Sequence, residues 1–168
     1  EDFYGKDMMN SNPDRDNDKR KELFFSDFDS NERSSLMKYS QATRDGQSTD
    51  PYARFSESNI LIFRLADIYL LRAEANMKLG NTTAAISDLN TIRSKANVPN
   101  YTGATDNQSL TKAIFDERAI ELVGEGQAGF DRIRMNYYAG VSWMTPSRLS
   151  HQGCFWPVDP TIISINPA

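Results

Sequence analysis

The sequence predicts an all-α core of tetratricopeptide-like helical hairpins with long irregular loops and possible short strands near the N-terminus. Three observations carry this. Apolar residues recur at steps of three and four over 64–79, again over 85–96 and again over 109–123, the period of helices that each turn a face to a core. Gly80-Asn81 separates the first two stretches by no more than a turn, which folds them into an antiparallel hairpin. Residues 1–59 are polar and rich in Asn, Asp and Ser, without the long apolar–polar alternation that would build a sheet.

Taken in order, 23–28 and 36–40 are candidate short strands, and Gly46, Ser48-Thr49-Asp50 and Pro51 mark a loop after them. In the first long helix Ala66, Tyr69, Leu70, Ala73 and Met77 share one face, while Ile68, Leu71, Ala75 and Leu79 form a second apolar line. A helix apolar on two faces is expected to lie between neighbours. Gly80 supplies a left-handed stop. Thr82 or Thr83 can cap the next helix, which aligns Ala85, Leu89, Ile92 and Ala96 and ends before Pro99. Small side chains at Ala73 and Ala85 let the two helices approach closely, as in a tetratricopeptide unit, and such a unit needs neighbouring helices.

A loop of Thr, Asn, Gly and Asp runs over 99–108. Ser109 is then the expected N-cap of a third helix, with Phe115, Ala119 and Leu122 on one side and Ala113, Ile120 and Val123 on another; Gly124 and Gly126 weaken its end. Beyond Phe130 the period dissolves into an aromatic-rich loop punctuated by Pro146, Pro157 and Pro160. Three zones result: a loop-rich segment at 1–59, the hairpin plus third helix at 60–135, and an aromatic C-terminal segment at 136–168. All three are expected to belong to one domain. With no initiating Met, no signal peptide and no Cys near its start, the chain reads as a piece of a longer protein.

Composition narrows the function. The 168 residues are 39% hydrophobic and 25% charged, with a net charge of −4, which places the chain among globular domains and excludes collagen, coiled-coil rods and wholly disordered chains. No strongly basic run offers a footprint for nucleic acid or anionic lipid. The longest apolar stretch, near 60–75, is interrupted by Arg64, Asp67, Arg72 and Glu74, so it is not a membrane span. One cysteine, Cys154, and one histidine, His151, cannot form a disulfide framework or a Cys-based zinc site. No metal or other cofactor is expected.

Glu117, Glu121 and Glu125 recur every four residues and could share a helix face. Two such carboxylates could divide into acid and base only if their surroundings separate their pKa values; ion pairing with Arg118, Arg132 and Arg134 is the plainer reading. His151 and Cys154 lack a third orienting group and are expected to be loop residues. In the tail, Tyr137, Tyr138, Trp143 and Arg148 have the chemistry of a sugar site. Aromatic rings can cover the C–H face of a pyranose while polar groups bond its hydroxyl rim. The same rings can equally pack a loop onto helices.

Beyond composition, several runs resemble the SusD/RagB family. The run from Arg64 through Ala66, Asp67, Leu70 and Ala73 to Glu74-Ala75 resembles its R-x-A-[ED]-x-x-L-x-x-A-E-A helix. Asp88, Leu89, Asn90, Ile92 and Arg93 resemble its D-x-L-N-x-I-R stretch, and Glu117-Arg118, Glu121-Leu122 and Glu125-Gly126 its E-R-x-x-E-L-x-x-E-G stretch. Asp131 and Arg134 match a following D-x-x-R, Asp18 and Arg20 an opening D-x-R, and Trp156-Pro157-Val158 a closing [LI]-P-[IV]. Ala128 and Arg132 depart from the pattern, which has an Arg after the E-G pair and an aliphatic after the Asp. The resemblance implies a helical, non-enzymatic surface lipoprotein of Bacteroidetes-type outer membranes, attached by an N-terminal lipid that this chain does not carry. It implies binding of a nutrient, usually an oligosaccharide, and delivery to a TonB-dependent SusC-like transporter, with the carboxylate ladder as scaffold. A tetratricopeptide scaffold for peptides, and a glycoside-acting enzyme using two of the glutamates, are the alternatives.

Overall fold

The computed structural model describes residues 9–26, 28, 35–38, 62–138, 141 and 144–151. It divides into two compact units, Glu1–Tyr137 and Tyr138–Ala168.

In the first unit a 3-10 turn at Pro13–Arg15 leads into a short helix α1, Arg20–Phe24. Strands β1, Phe25–Ser26, and β2, Ser35–Leu36, then pair antiparallel, Phe25 opposite Leu36. The expected strand at 23–28 is therefore helix for its first two residues and strand for only two more, too short to carry an alternation. Met9, Phe25 and Phe28 bury themselves with Ile120, so this segment and its two-stranded ribbon pack on the third long helix.

The hairpin is present as α2, Leu65–Lys78, and α3, Thr82–Lys95. Leu70, Ala73 and Met77 on α2 and Ala85, Leu89 and Ile92 on α3 are all buried. The alanines bring the two backbones together as their size predicts. The turn is a Schellman motif: Gly80 has φ +78°, its N–H donates to the Met77 carbonyl at 3.0 Å, and the Asn81 N–H donates to that of Asn76 at 2.8 Å. A Cβ on Gly80 would meet nothing within 4 Å, so the cost of Gly80→Ala is purely backbone. It is expected to destabilise by roughly 1–2 kcal/mol in a urea titration, with Gly80→Asn losing less because Asn tolerates the left-handed region. The residue that opens α3 is Asn81, without a side-chain cap bond, so neither Thr82 nor Thr83 caps it; both already lie inside the helix.

The third long helix, α4, spans Asn107–Glu121. Asp106 rather than Ser109 is its N-cap, its carboxylate accepting from the Ser109 N–H at 2.9 Å: the predicted cap residue is the donor of that bond. Every residue from 114 to 120 is buried. Ile114, Phe115 and Ala119 face the hairpin, and Ile120 faces the N-terminal segment. The helix enclosed on several sides is thus α4. On α2 the second apolar line is open, with Ile68 52% and Leu79 77% exposed. The expectation that α2 is covered on both faces is not met among the described residues, which set α3 and α4 against its Leu70–Met77 side.

Helix α5, Ala128–Met135, follows two left-handed glycines, Gly124 and Gly126. Its last turn runs past Phe130, where the sequence pattern looked like loop, because Asp131 and Met135 bury themselves one turn apart. In the second unit α6, Pro146–Ser150, is a short helix that the proline-rich pattern also hid: Pro146 sits in its first turn, where its missing N–H costs nothing, and Thr145 caps it through the Arg148 N–H.

Candidate functional site

The carboxylate ladder is the first candidate, and every rung is held by cations. Glu117 is fully buried, 2.7 Å from Arg15, 2.8 Å from Arg20 and 3.5 Å from Arg93. Glu121 lies 2.8 Å from Arg20 and 2.5 Å from Arg64, and Glu125 lies 2.7 Å from Lys38 and 2.9 Å from Arg64. Burial opposes ionisation of Glu117, but Arg20, Arg15 and Arg93 outweigh it and keep its carboxyl below the ordinary glutamate value. Burial likewise opposes Glu125, and Arg64 and Lys38 overcome it. A general acid needs a carboxyl pushed the other way. Ion pairing is the reading that holds, with a correction to its partners. Arg118, adjacent to Glu117, points elsewhere and forms ion pairs with Asp67 and Asp131, each at 2.8 Å. Arg134 bonds Glu74 and Asp131, and Arg132 stands over the Phe115 ring at 5.1 Å.

Four carboxyls in these networks, Asp18, Glu74, Glu117 and Glu125, are depressed in the folded chain. In each, burial is the largest influence and opposes the shift, and the arginine or lysine partners reverse it. A carboxyl with a folded pKa below its unfolded one stabilises fully above the unfolded value and loses that contribution as pH falls through the folded value. The urea midpoint is therefore expected to stay level above the ordinary glutamate value of 4.5 and to fall steadily below it. A midpoint that rises on acidification would contradict the network.

Among the tail residues, Tyr137 packs on Phe115 with ring centroids 4.9 Å apart and a tilt of 49°. It belongs to the first unit; Tyr138 and Arg148 belong to the second, Arg148 exposed on α6. Trp143, Cys154, Phe155 and Trp156 lie outside the described residues. His151 Nδ1 donates to the Ser147 carbonyl at 2.7 Å, so that nitrogen is occupied locally.

A polar cavity of about 350 Å3 opens where the 3-10 turn meets the end of α3 and the start of α4. Its wall includes Asp14, Arg15, Arg93, Tyr101, Lys112 and Asp116. The motif residues build it. Asn90 Oδ1 accepts from the Tyr101 N–H at 2.7 Å, and Arg93 Nε donates to the Pro99 carbonyl at 2.7 Å, which together fix the 99–106 loop onto α3. The Tyr101 hydroxyl donates to the Ala104 carbonyl at 2.7 Å, and the ring lies so close to Gly103 that a Cβ there would meet its oxygen at 2.5 Å. The sequence reading missed this site. Its one visible signal was an aromatic, Tyr101, within an otherwise polar loop. A second cavity, about 450 Å3, is walled largely by apolar groups such as Leu23, Phe24, Leu65, Tyr69 and Ile92.

Comparison with known proteins gives these features a context. The pattern that defines the SusD family matches residues 25–161. The chain is 34% identical to the SusD-like protein P38 of Formosa agariphila over 61% of this chain and 22% of that protein. It is 32% identical to the starch-binding protein SusD of Bacteroides thetaiotaomicron over 62% of this chain and 18% of that one. It therefore spans about a fifth of the length of these curated relatives. Among solved structures, a SusD superfamily protein from Bacteroides thetaiotaomicron aligns at 36% identity over 64% of this chain and 24% of its own, with a TM-score of 0.52. One from Bacteroides fragilis aligns at 19% identity over 96% and 38%, with a TM-score of 0.66, a likeness of fold. With a family match that covers most of the sequence, the chain belongs to the SusD family.

Proposed function

We propose that this chain is part of a cell-surface receptor that binds a nutrient glycan and delivers it to a TonB-dependent SusC-like transporter in the outer membrane. The family membership is the observation that supports this most, together with a relative whose name describes starch binding. The chemistry agrees with binding rather than turnover, since Glu117 and Glu125 are held ionised by paired cations. No helix among the described residues is long and apolar enough to cross a membrane, and attachment through an N-terminal lipid is part of the proposal. Tyr137, Tyr138, Trp143 and Arg148 are proposed as ligand contacts at the tail, with Tyr137 anchored by its stack on Phe115.

Trp143 and Trp156 are the two tryptophans of the chain, so intrinsic fluorescence reports on that segment. Neutral oligosaccharides are expected to quench it saturably, whereas peptides of similar size are not. Quenching by peptides alone would favour a tetratricopeptide scaffold instead. Hydrolysis of a saccharide by the purified protein would favour an enzyme using two of the glutamates.

A further inference from the structure

We propose that the polar cavity between the 3-10 turn, α3 and α4 is a subsite for a single neutral, hydroxyl-rich sugar unit. The inference rests on the glycan-binding reading and adds to it a place and a ligand class.

Size is the first argument. At about 350 Å3 the cavity lies at the small end of ligand pockets, roughly 300–1,000 Å3, room for one ring rather than a chain. Its lining is the second. Tyr101 supplies an aromatic surface at the start of a loop that Asn90 and Arg93 tie to α3, and such a surface suits the C–H face of a pyranose. The lining also holds donors, Arg93 and Lys112, and acceptors, Asp14 and Asp116.

The charge pattern selects neutral over ionic ligands. Lys112 is already bonded to Asp116, and the guanidinia of Arg15 and Arg93 already share Glu117. A ligand carboxylate or ammonium would have to compete with one of these pairs. Hydroxyls can bond both members of a pair at once without separating them, since each hydroxyl donates and accepts. One pair is left ajar. Arg93 NH2 and Asp14 Oδ2 stand 4.0 Å apart, beyond hydrogen-bond distance, with Arg93 buried and Asp14 62% exposed. A donor and an acceptor so placed can take adjacent hydroxyls of one ring.

The test is amide NMR titration of the purified protein with neutral trisaccharides of glucose, galactose, mannose and xylose, and with trigalacturonate as the acidic counterpart. At least one neutral sugar is expected to shift the amides of residues 101–104 and 112–116, and trigalacturonate to bind there several-fold more weakly. Asp14→Ala removes an exposed acceptor, and Gly103→Ala pushes the Tyr101 ring aside. Each is expected to weaken the neutral sugar about tenfold or more, while far-ultraviolet dichroism stays unchanged. Tighter binding of trigalacturonate at these amides would overturn the ligand class. Neutral sugars that shift amides only elsewhere, or affinities untouched by both substitutions, would overturn the subsite and leave the glycan receptor standing. Absence of binding by every saccharide would remove both.

Discussion

Glu117→Gln is expected to destabilise the fold by about 3–5 kcal/mol, because removing one member of a buried ionic group leaves its partners uncompensated. Glu117 is fully buried and shared by Arg15, Arg20 and Arg93. Glutamine keeps the size of the side chain, so the loss is one of charge rather than of packing. Three guanidinia would then face one another with Asp18 and Glu121 as the remaining counter-charges for Arg15 and Arg20. Denaturant unfolding by urea measures the loss. A double-mutant cycle with Arg15→Met separates the pair from its surroundings: the double variant should recover part of the stability that Glu117→Gln loses. A single-variant loss under about 1 kcal/mol, the range of exposed ion pairs, would show that the cluster is solvated rather than structural.

Phe115→Ala is expected to cost about 3–5 kcal/mol for a different reason, the cavity left by a large side chain in a packed core. Phe115 is fully buried among Ala73, Met77, Ile114 and Ala119. Its ring also carries Tyr137 on one contact and the Arg132 guanidinium on another. The substitution therefore acts on both the core and the anchoring of the tail. Phe115→Leu, which keeps much of the apolar volume but no ring, should recover most of the core stability and none of the Tyr137 stack. If Tyr137 is an anchored ligand contact, the leucine variant loses sugar-induced quenching while remaining folded. Unchanged quenching in that variant would separate Tyr137 from the ligand.

How much was legible follows from which interactions are local. The hairpin could be read because a helix face and a Schellman turn are decided within a few residues: Leu70, Ala73 and Met77 share a face by spacing alone, and Gly80 is the residue that tolerates φ +78°. The charged motif residues could be recognised as a set but not paired. Glu117 and Arg118 are neighbours in sequence, yet one helical residue turns the side chain by about 100°, so one meets the N-terminal turn and the other meets Asp67 and Asp131. The partners of Glu117 come from positions as distant as Arg15. Helix α5 was hard to see past Phe130 because its buried positions include an aspartate, Asp131, which counts as polar in any periodicity and is buried only because Arg118 and Arg134 neutralise it.

The polar cavity is the clearest case of the second kind. Asn90, Arg93, Tyr101 and Lys112 lie on three successive elements, and nothing in their spacing announces that Asp14 will stand across from them. By itself the sequence determined the helical class, the hairpin and its turn, and the family, since these rest on short-range geometry and on an ordered set of residue types. The tertiary structure alone decided which cations hold which carboxylates, that among the described residues α4 is enclosed and one face of α2 is open, and where a polar cavity opens. Those outcomes depend on side chains brought together by chain closure over many residues, and no local pattern encodes the closing distance.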